Sequence, residues 1–339
     1  KFPPSWRVAL RPRSALGPPP GALSQGDRVR EARAGSGRLS SLSLDEQRGW
    51  LLGSGGVMMD SLRDPEQLKL MMINISKNEG ARLWGGFSAF ALTVFWVCSS
   101  GDFSFLLTLS SLVSMFSFLM VAMTIEATKT VKGVSLKMME CYILIFLCRL
   151  VAIIPFEGYL PFDKSGDWLY QVCEAFGLCL AGSIVYCCRV QYPNTYSADT
   201  DAFNQLWIVV PTAVISLILH PHLNQFWPSD VAWAFALYLE SVTVLPQFFM
   251  FMKEGRAQTH TSHFLAAQAL SRLLSFIFWA SSFSELSNPD HHINKYVGHW
   301  VVGIQLIQLA VMADFIFHYV RAIQQGIPVS ECINYAVNV

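Results

Sequence analysis

The sequence predicts an all-α integral membrane protein, and three observations predict it. Hydrophobic residues make up 53% of the 339 and charged residues only 14%, with a mean hydropathy of +0.38, too apolar for an ordinary soluble domain. Apolar runs of helix length follow one another from residue 83 onward. Lys and Arg crowd into alternate loops between those runs. The 24 basic residues balance the 24 acidic ones, so no global field points to nucleic acid.

Residues 1–57 are Pro-rich and Gly-rich, with scattered Arg and little apolar periodicity, and are expected to be a disordered extension. Met58 and Met59 open a segment of more ordinary composition, so the preceding stretch reads as a targeting extension or translated leader. Residues 58–102 are expected to hold an amphipathic lead-in and one extra N-terminal helix, 83–99. The remaining runs are 103–125, 141–156, 168–188, 206–220, 231–252, 264–283 and 297–320. Two of them, 141–156 and 206–220, are short and carry Pro155 and Pro211, which neighbouring helices can accommodate.

One set of loops holds Lys129, Lys132, Lys137, Arg189, Lys253, Arg256 and Arg321, and the alternate set only Lys164 and Lys295. The basic set is therefore read as cytosolic, and the loops with Glu157, Asp163, Asp167, Asp230, Glu285 and Asp290 as luminal or exterior. Lys77 and Arg82 place the start of 83–99 in the cytosol, where the sequon at Asn74 would stay unglycosylated. Most of the eight cysteines sit in apolar runs without CxxC spacing and read as small core hydrophobes, so no metal site or cofactor is expected.

An ionisable group inside an apolar run is costly, by roughly 2.5 to 3.5 kcal/mol at the bilayer centre, and normally faces a bundle interior or a wet cavity. Glu240 occupies such a position in WAFALYLESVTVLPQFFMFM, together with the Pro246–Gln247 pair, which reads as a helix kink or a hinge. Arg149, Arg272 and Asp314 occupy similar positions in their own runs. Two arginines and two carboxylates suggest internal pairing, either as a purely structural lock or with a guanidinium left to grip a ligand carboxylate bidentately.

YLESVTVLPQFFM followed by KEGRAQTHTSHFLAAQALSRLLSFIFW resembles the ER lumen protein-retaining receptors, which bind KDEL and HDEL tails. The resemblance extends through TYSADTDAF, WIVVPTAV, VKGVSLK and QLAVMADFIFHYV and covers about 103–326. It implies a seven-helix bundle of the PQ-loop and sugar-transporter type, two three-helix bundles joined by a linking helix around a luminal cavity. It further implies a receptor, not an enzyme, in Golgi and ER membranes, with C-terminal tails of luminal ER proteins as partners and the lipid bilayer as surroundings.

Carried over residue by residue, Arg149 matches the arginine that takes the peptide carboxylate, and Trp233, Glu240, Arg272, Trp279, Gln308 and Asp314 also match. The chain departs from the family at Leu107 and Ser114, where an arginine and a proton-sensing histidine are expected, and at Leu150, Ala152, Ser271, Ser275 and Ser282. The cytosolic tail, 327–339, lacks the lysine cluster through which the family recruits the retrograde coat, so no coat partner is assigned from it. A single charge-assisted anchor contributes on the order of 1.5 to 3 kcal/mol, too little alone for tight peptide binding. Altered or weakened tail specificity is therefore expected, with a small-solute carrier of the same fold as the alternative. His220, His222, His291 and His292, in luminal loops, are candidate pH sensors in place of the lost histidine, against the plainer reading of loop residues without a role.

Overall fold

A computed structural model describes residues 79–99, 101, 103–160, 166–283 and 296–325, all within one compact unit, Ile75–Val339. The disordered extension expected over 1–57, the lead-in up to residue 78, Asn74, His291, His292 and the tail 327–339 lie outside the described residues. The described part is helical: α1 Glu79–Cys98, α2 Phe105–Thr128, α3 Leu136–Ile153, α4 Gly166–Tyr186, α5 Leu206–Ile218, α6 Trp227–Val242, α7 Leu245–Glu254, α8 Thr259–Ser281 and α9 Val297–Gln325. A π-helical turn, Cys187–Gln191, continues α4.

Among the described residues five stretches are long and apolar enough to cross a bilayer: Phe105–Thr128, Trp168–Gln191, Trp227–Glu254, Thr259–Ser281 and Val297–Ile323. Trp84–Cys98 and Leu206–Ile218 are apolar but shorter. Two prolines lie at helix boundaries. Pro155 lies beyond the end of α3 rather than inside it, a position that suits a residue unable to continue a helix. The run 231–252 lies in the stretch Trp227–Glu254, which is interrupted at Thr243–Val244 with both residues still at right-handed helical angles, and Pro246 falls in the first turn of α7, as a proline kink requires.

The helices close into a ring, α2 against α4, α4 against α3, α3 against α6, α6 against α9, α9 against α8, and α8 back against α2. α5 packs on α6 and α1 on α2. Phe118, fully buried, meets Tyr142, Phe146 and Phe264 edge-on with centroids 4.9, 5.4 and 5.1 Å away, which ties α2, α3 and α8 together.

The conspicuous sequence motifs meet at one end of this ring. Gln247 at the start of α7 is fully buried; its Nε2 donates to Gly133 O at 3.0 Å and its Oε1 accepts from Ser135 N at 2.9 Å. Thr261 of α8 donates to the same Gly133 carbonyl at 3.1 Å. Gly133 has φ +81°, and a Cβ there would fall 2.1 Å from Gln258 Cγ, so only glycine fits. Ser135 caps α3 by accepting from Met138 N, and its hydroxyl donates at 2.8 Å to Asp201, which also accepts from Tyr196 at 2.7 Å. VKGVSLK, TYSADTDAF and the Pro-Gln pair are thus three parts of one hydrogen-bonded clamp.

Candidate functional site

Further along the ring the charged residues meet. Arg149 projects from α3 and is 7% exposed, Glu240 from α6 is 2% exposed and Arg272 from α8 is 6% exposed. Arg149 Nη2 donates to Glu240 Oε2 at 2.6 Å, and Arg272 Nη1 pairs with the same oxygen. Glu240 therefore serves two guanidinium groups with one carboxylate. The backbone carbonyl of Glu240 accepts from Gln308 of α9 at 3.0 Å. Arg272 Nη2 donates to Ser271 Oγ at 3.0 Å, and Ser271 Oγ in turn donates to Ser110 O at 2.8 Å.

The fourth member is not Asp314. That residue lies on the outward face of α9, its side chain 81% exposed and 3.6 Å from His318 one turn on, and takes no part in the cluster. Its place is taken by Glu174 of α4, 1% exposed, which accepts from Arg149 Nη1 at 3.3 and 3.1 Å through its two oxygens and from Ser111 of α2. The cluster is still two arginines and two glutamates, neutral in sum, as buried charge requires. The run 168–188 shows Glu174 as a lone carboxylate among apolar residues, the same signal that singles out Glu240.

These groups wall a cavity completed by Leu107, Tyr170, Trp233, Ser275 and Trp279. The cavity is narrow, with room for one or two water molecules. Trp233 and Trp279 meet at 72° with centroids 5.2 Å apart, and Tyr159 stacks on the other side of Trp233 at 4.3 Å. The Tyr159 hydroxyl donates to Asp230 Oδ1 at 2.6 Å; burial first, and then that carboxylate, push its pKa up, so it stays a donor. Asp230, fully buried, also accepts from Asn224 N at 3.1 Å, and its second oxygen lies 3.8 Å from His222 Nδ1.

The described histidines behave differently from one another. His222 faces Asp230, whereas His220 is 8% exposed, its ring 5.0 Å from that of His222 and its Nδ1 3.2 Å from Ser216 O. Burial, and then the neighbouring His222, lower the pKa of His220, which holds it neutral on the acid side of its usual range. Ser114, where the resemblance puts a histidine, instead accepts from Gln268 at 3.1 Å, and Ser117 does so at 2.7 Å. Among the described residues no cluster of three or more metal-ligating side chains occurs. Of the cysteines, Cys141, Cys173, Cys187 and Cys188 are buried as core hydrophobes, Cys98 and Cys148 are half-buried, and Cys179 is exposed.

Comparison with known proteins places the chain among named relatives. Residues 130–282 match the sequence family described as ER lumen protein retaining receptor. The chain is 28% identical over 211 residues to the ER lumen protein-retaining receptor of Drosophila melanogaster, 62% of this chain and 91% of that protein. It is 30% identical over 179 residues to the receptor of Caenorhabditis briggsae, 52% of this chain and 78% of that protein. With ER lumen protein-retaining receptor 2 of Homo sapiens it shares 26% identity over 200 residues, 59% of this chain and 85% of the relative. The matched span contains the four charged residues Arg149, Glu174, Glu240 and Arg272, together with the clamp at Gly133 and Gln247. The chain is a divergent member of the ER lumen protein-retaining receptor family.

Proposed function

We propose that this chain is a multi-pass sorting receptor that binds the C-terminal retention signals of luminal ER proteins, of KDEL or HDEL type, and returns them from Golgi to ER by retrograde vesicles. The observation that supports the reading is Arg149, a buried guanidinium in the wall of a cavity that two tryptophans and a second arginine share. A guanidinium stays charged there, and its fork matches a free carboxylate. The receptor domain is 103–326 with seven spans: α2, α3 and α4 form one three-helix bundle, α6/α7, α8 and α9 the other, and α5 links them. The closed ring, with α5 packed on α6, supports that division. In the proposed topology the Gly133–Gln247 end is cytosolic, the Asp230–Tyr159 end luminal, and 79–98 an additional helix. Of the proposed pH sensors, His220 and His222 lie at that luminal end, with His222 Nδ1 3.8 Å from Asp230.

The test is a binding measurement at luminal pH with tetrapeptides bearing either a free or an amidated C-terminus. Arg149→Lys keeps the charge but loses the bidentate grip and should weaken the acid peptide by about ten-fold or more; Arg149→Ala should abolish binding. Acid and amidated peptides that bind alike would make Arg149 a structural ion-pair member and remove the central support. The narrow cavity favours a second reading, a small-solute carrier on the same scaffold, and uptake of a solute without any tetrapeptide binding would select it.

A further inference from the structure

We propose that Glu174 is a tethered stand-in for a ligand carboxylate: it sits on Arg149 where a C-terminal carboxylate would sit and sets the tail affinity of the site by competing for that guanidinium. The inference rests on the reading of Arg149 as the carboxylate anchor and concerns what occupies that anchor in the unliganded receptor.

Both oxygens of Glu174 face Arg149 Nη1, at 3.1 and 3.3 Å, and Ser111 supplies a further donor to Oε1. A carboxylate held by a guanidinium and a hydroxyl is what a bound chain terminus would look like. The other guanidinium nitrogen, Nη2, is taken by Glu240. Both amino nitrogens of Arg149 are therefore engaged by resident carboxylates, although it is the residue best shaped to receive an incoming one.

Charge arithmetic points the same way. Arg149 and Arg272 are matched one for one by Glu174 and Glu240, so an added carboxylate would leave a net negative charge in a space that admits only one or two waters. Entry of a ligand carboxylate thus requires that one resident carboxylate leave its arginine. Glu240 is held by Arg149 and Arg272 together. Among the described residues Glu174 has Arg149 and the Ser111 hydroxyl as partners, one guanidinium against the two that hold Glu240, and is the one that can be displaced. Being part of the chain, it competes at a high effective concentration that no free ligand matches. Among the described residues Arg272 Nε, in the wall of this cavity, is buried without a hydrogen-bond partner and is available to a second ligand oxygen once the space opens.

The proposal predicts that removing Glu174 creates a carboxylate-shaped vacancy on Arg149. Purified Glu174→Ala in detergent should melt several degrees higher in sodium acetate than in sodium chloride of equal ionic strength, while wild type melts alike in both. A variant that folds only in acetate is the stronger form of the same result. Glu174→Gln keeps the side-chain volume and removes the charge, and carries the peptide measurement. It should bind a KDEL-ended tetrapeptide at least ten-fold more tightly than wild type, with no such gain for the amidated peptide.

Equal melting of Glu174→Ala in acetate and chloride overturns the proposal. So does an acid peptide that binds wild type and Glu174→Gln with the same affinity. If acetate stabilises Glu174→Ala but no tetrapeptide binds any variant, the carboxylate site stands and only the tail-receptor reading falls.

Discussion

Glu240 offers the sharpest test of the charged cluster, because one carboxylate there serves two arginines. Glu240→Gln leaves Arg149 and Arg272 buried with only Glu174 to balance them, a net charge of one in the helix ring. Breaking a buried pair by removing one member costs roughly 3 to 5 kcal/mol. At about 2 to 4 °C per kcal/mol for a chain of this size, the melting temperature in detergent should fall by roughly 6 to 20 °C. Asp314→Asn is the control: at 81% side-chain exposure it should stay within about 0.5 kcal/mol of wild type. The compensating variant Glu240→Gln with Arg272→Gln restores neutrality and should recover part of the loss, so the two single costs should sum to more than the double. Strict additivity, or a Glu240→Gln melt no lower than that of Asp314→Asn, would refute the shared-carboxylate account.

Gln247→Ala should free the Gly133–Ser135 segment, since Ser135 N loses its acceptor and Gly133 O one of its two donors; a cost of about 1 to 3 kcal/mol is expected, read as a lower melt and faster tryptic cleavage at Lys132. His220 has a lowered pKa in the fold, so its contribution is fully present above the unfolded value near 6.5 and is lost as pH falls below it; wild type should lose melting temperature between pH 7.4 and 5.5, and His220→Gln should lose less. Equal losses would remove His220 from the acid response. For topology, tags placed before Met58 and after Val339 should both be cytosolic in sealed microsomes, and tags on opposite sides would remove 79–98 from the spans.

The sequence locates helices and ionisable outliers well, and faces poorly. Arg149, Trp233, Glu240, Arg272 and Trp279 stand out in the sequence because a charge or an indole in an apolar run, together with a family resemblance, is a local signal; that they line one cavity is visible only in the fold. Asp314 was misassigned for a physical reason. On α9 the outward residues Leu306, Ile307, Phe317 and Val320 are as apolar as the inward Met312 and Phe315, so hydrophobicity does not reveal which side faces the bundle. Glu174 carries the same local signal as Glu240 but falls outside the motifs that drive the resemblance, and its match with Arg149 appears only once α3 and α4 pack. The clamp is illegible for another reason, since Gln247 meets Gly133 across 114 residues of chain and no periodicity encodes that meeting.

The break at Thr243–Val244 gives the bundle a mechanical asymmetry. Below it, α7 is fastened through Gln247 to the Gly133–Ser135 segment, and through that carbonyl to Thr261 of α8. Above it, α6 carries Glu240, Trp233 and Asp230 on a separate rod of 16 residues, about 24 Å long at 1.5 Å per residue. A tilt of about 10° about the break would carry the Trp227 end through about 4 Å by that length while moving Glu240, near the pivot, by less than 1 Å. The indole of Trp233 and the Tyr159–Asp230 bond would swing as a door, and the ion pairs would act as its hinge pin. In such a frame the spread of the Trp227 end and the strength of the charged lock can change independently, because leverage rather than contact separates them.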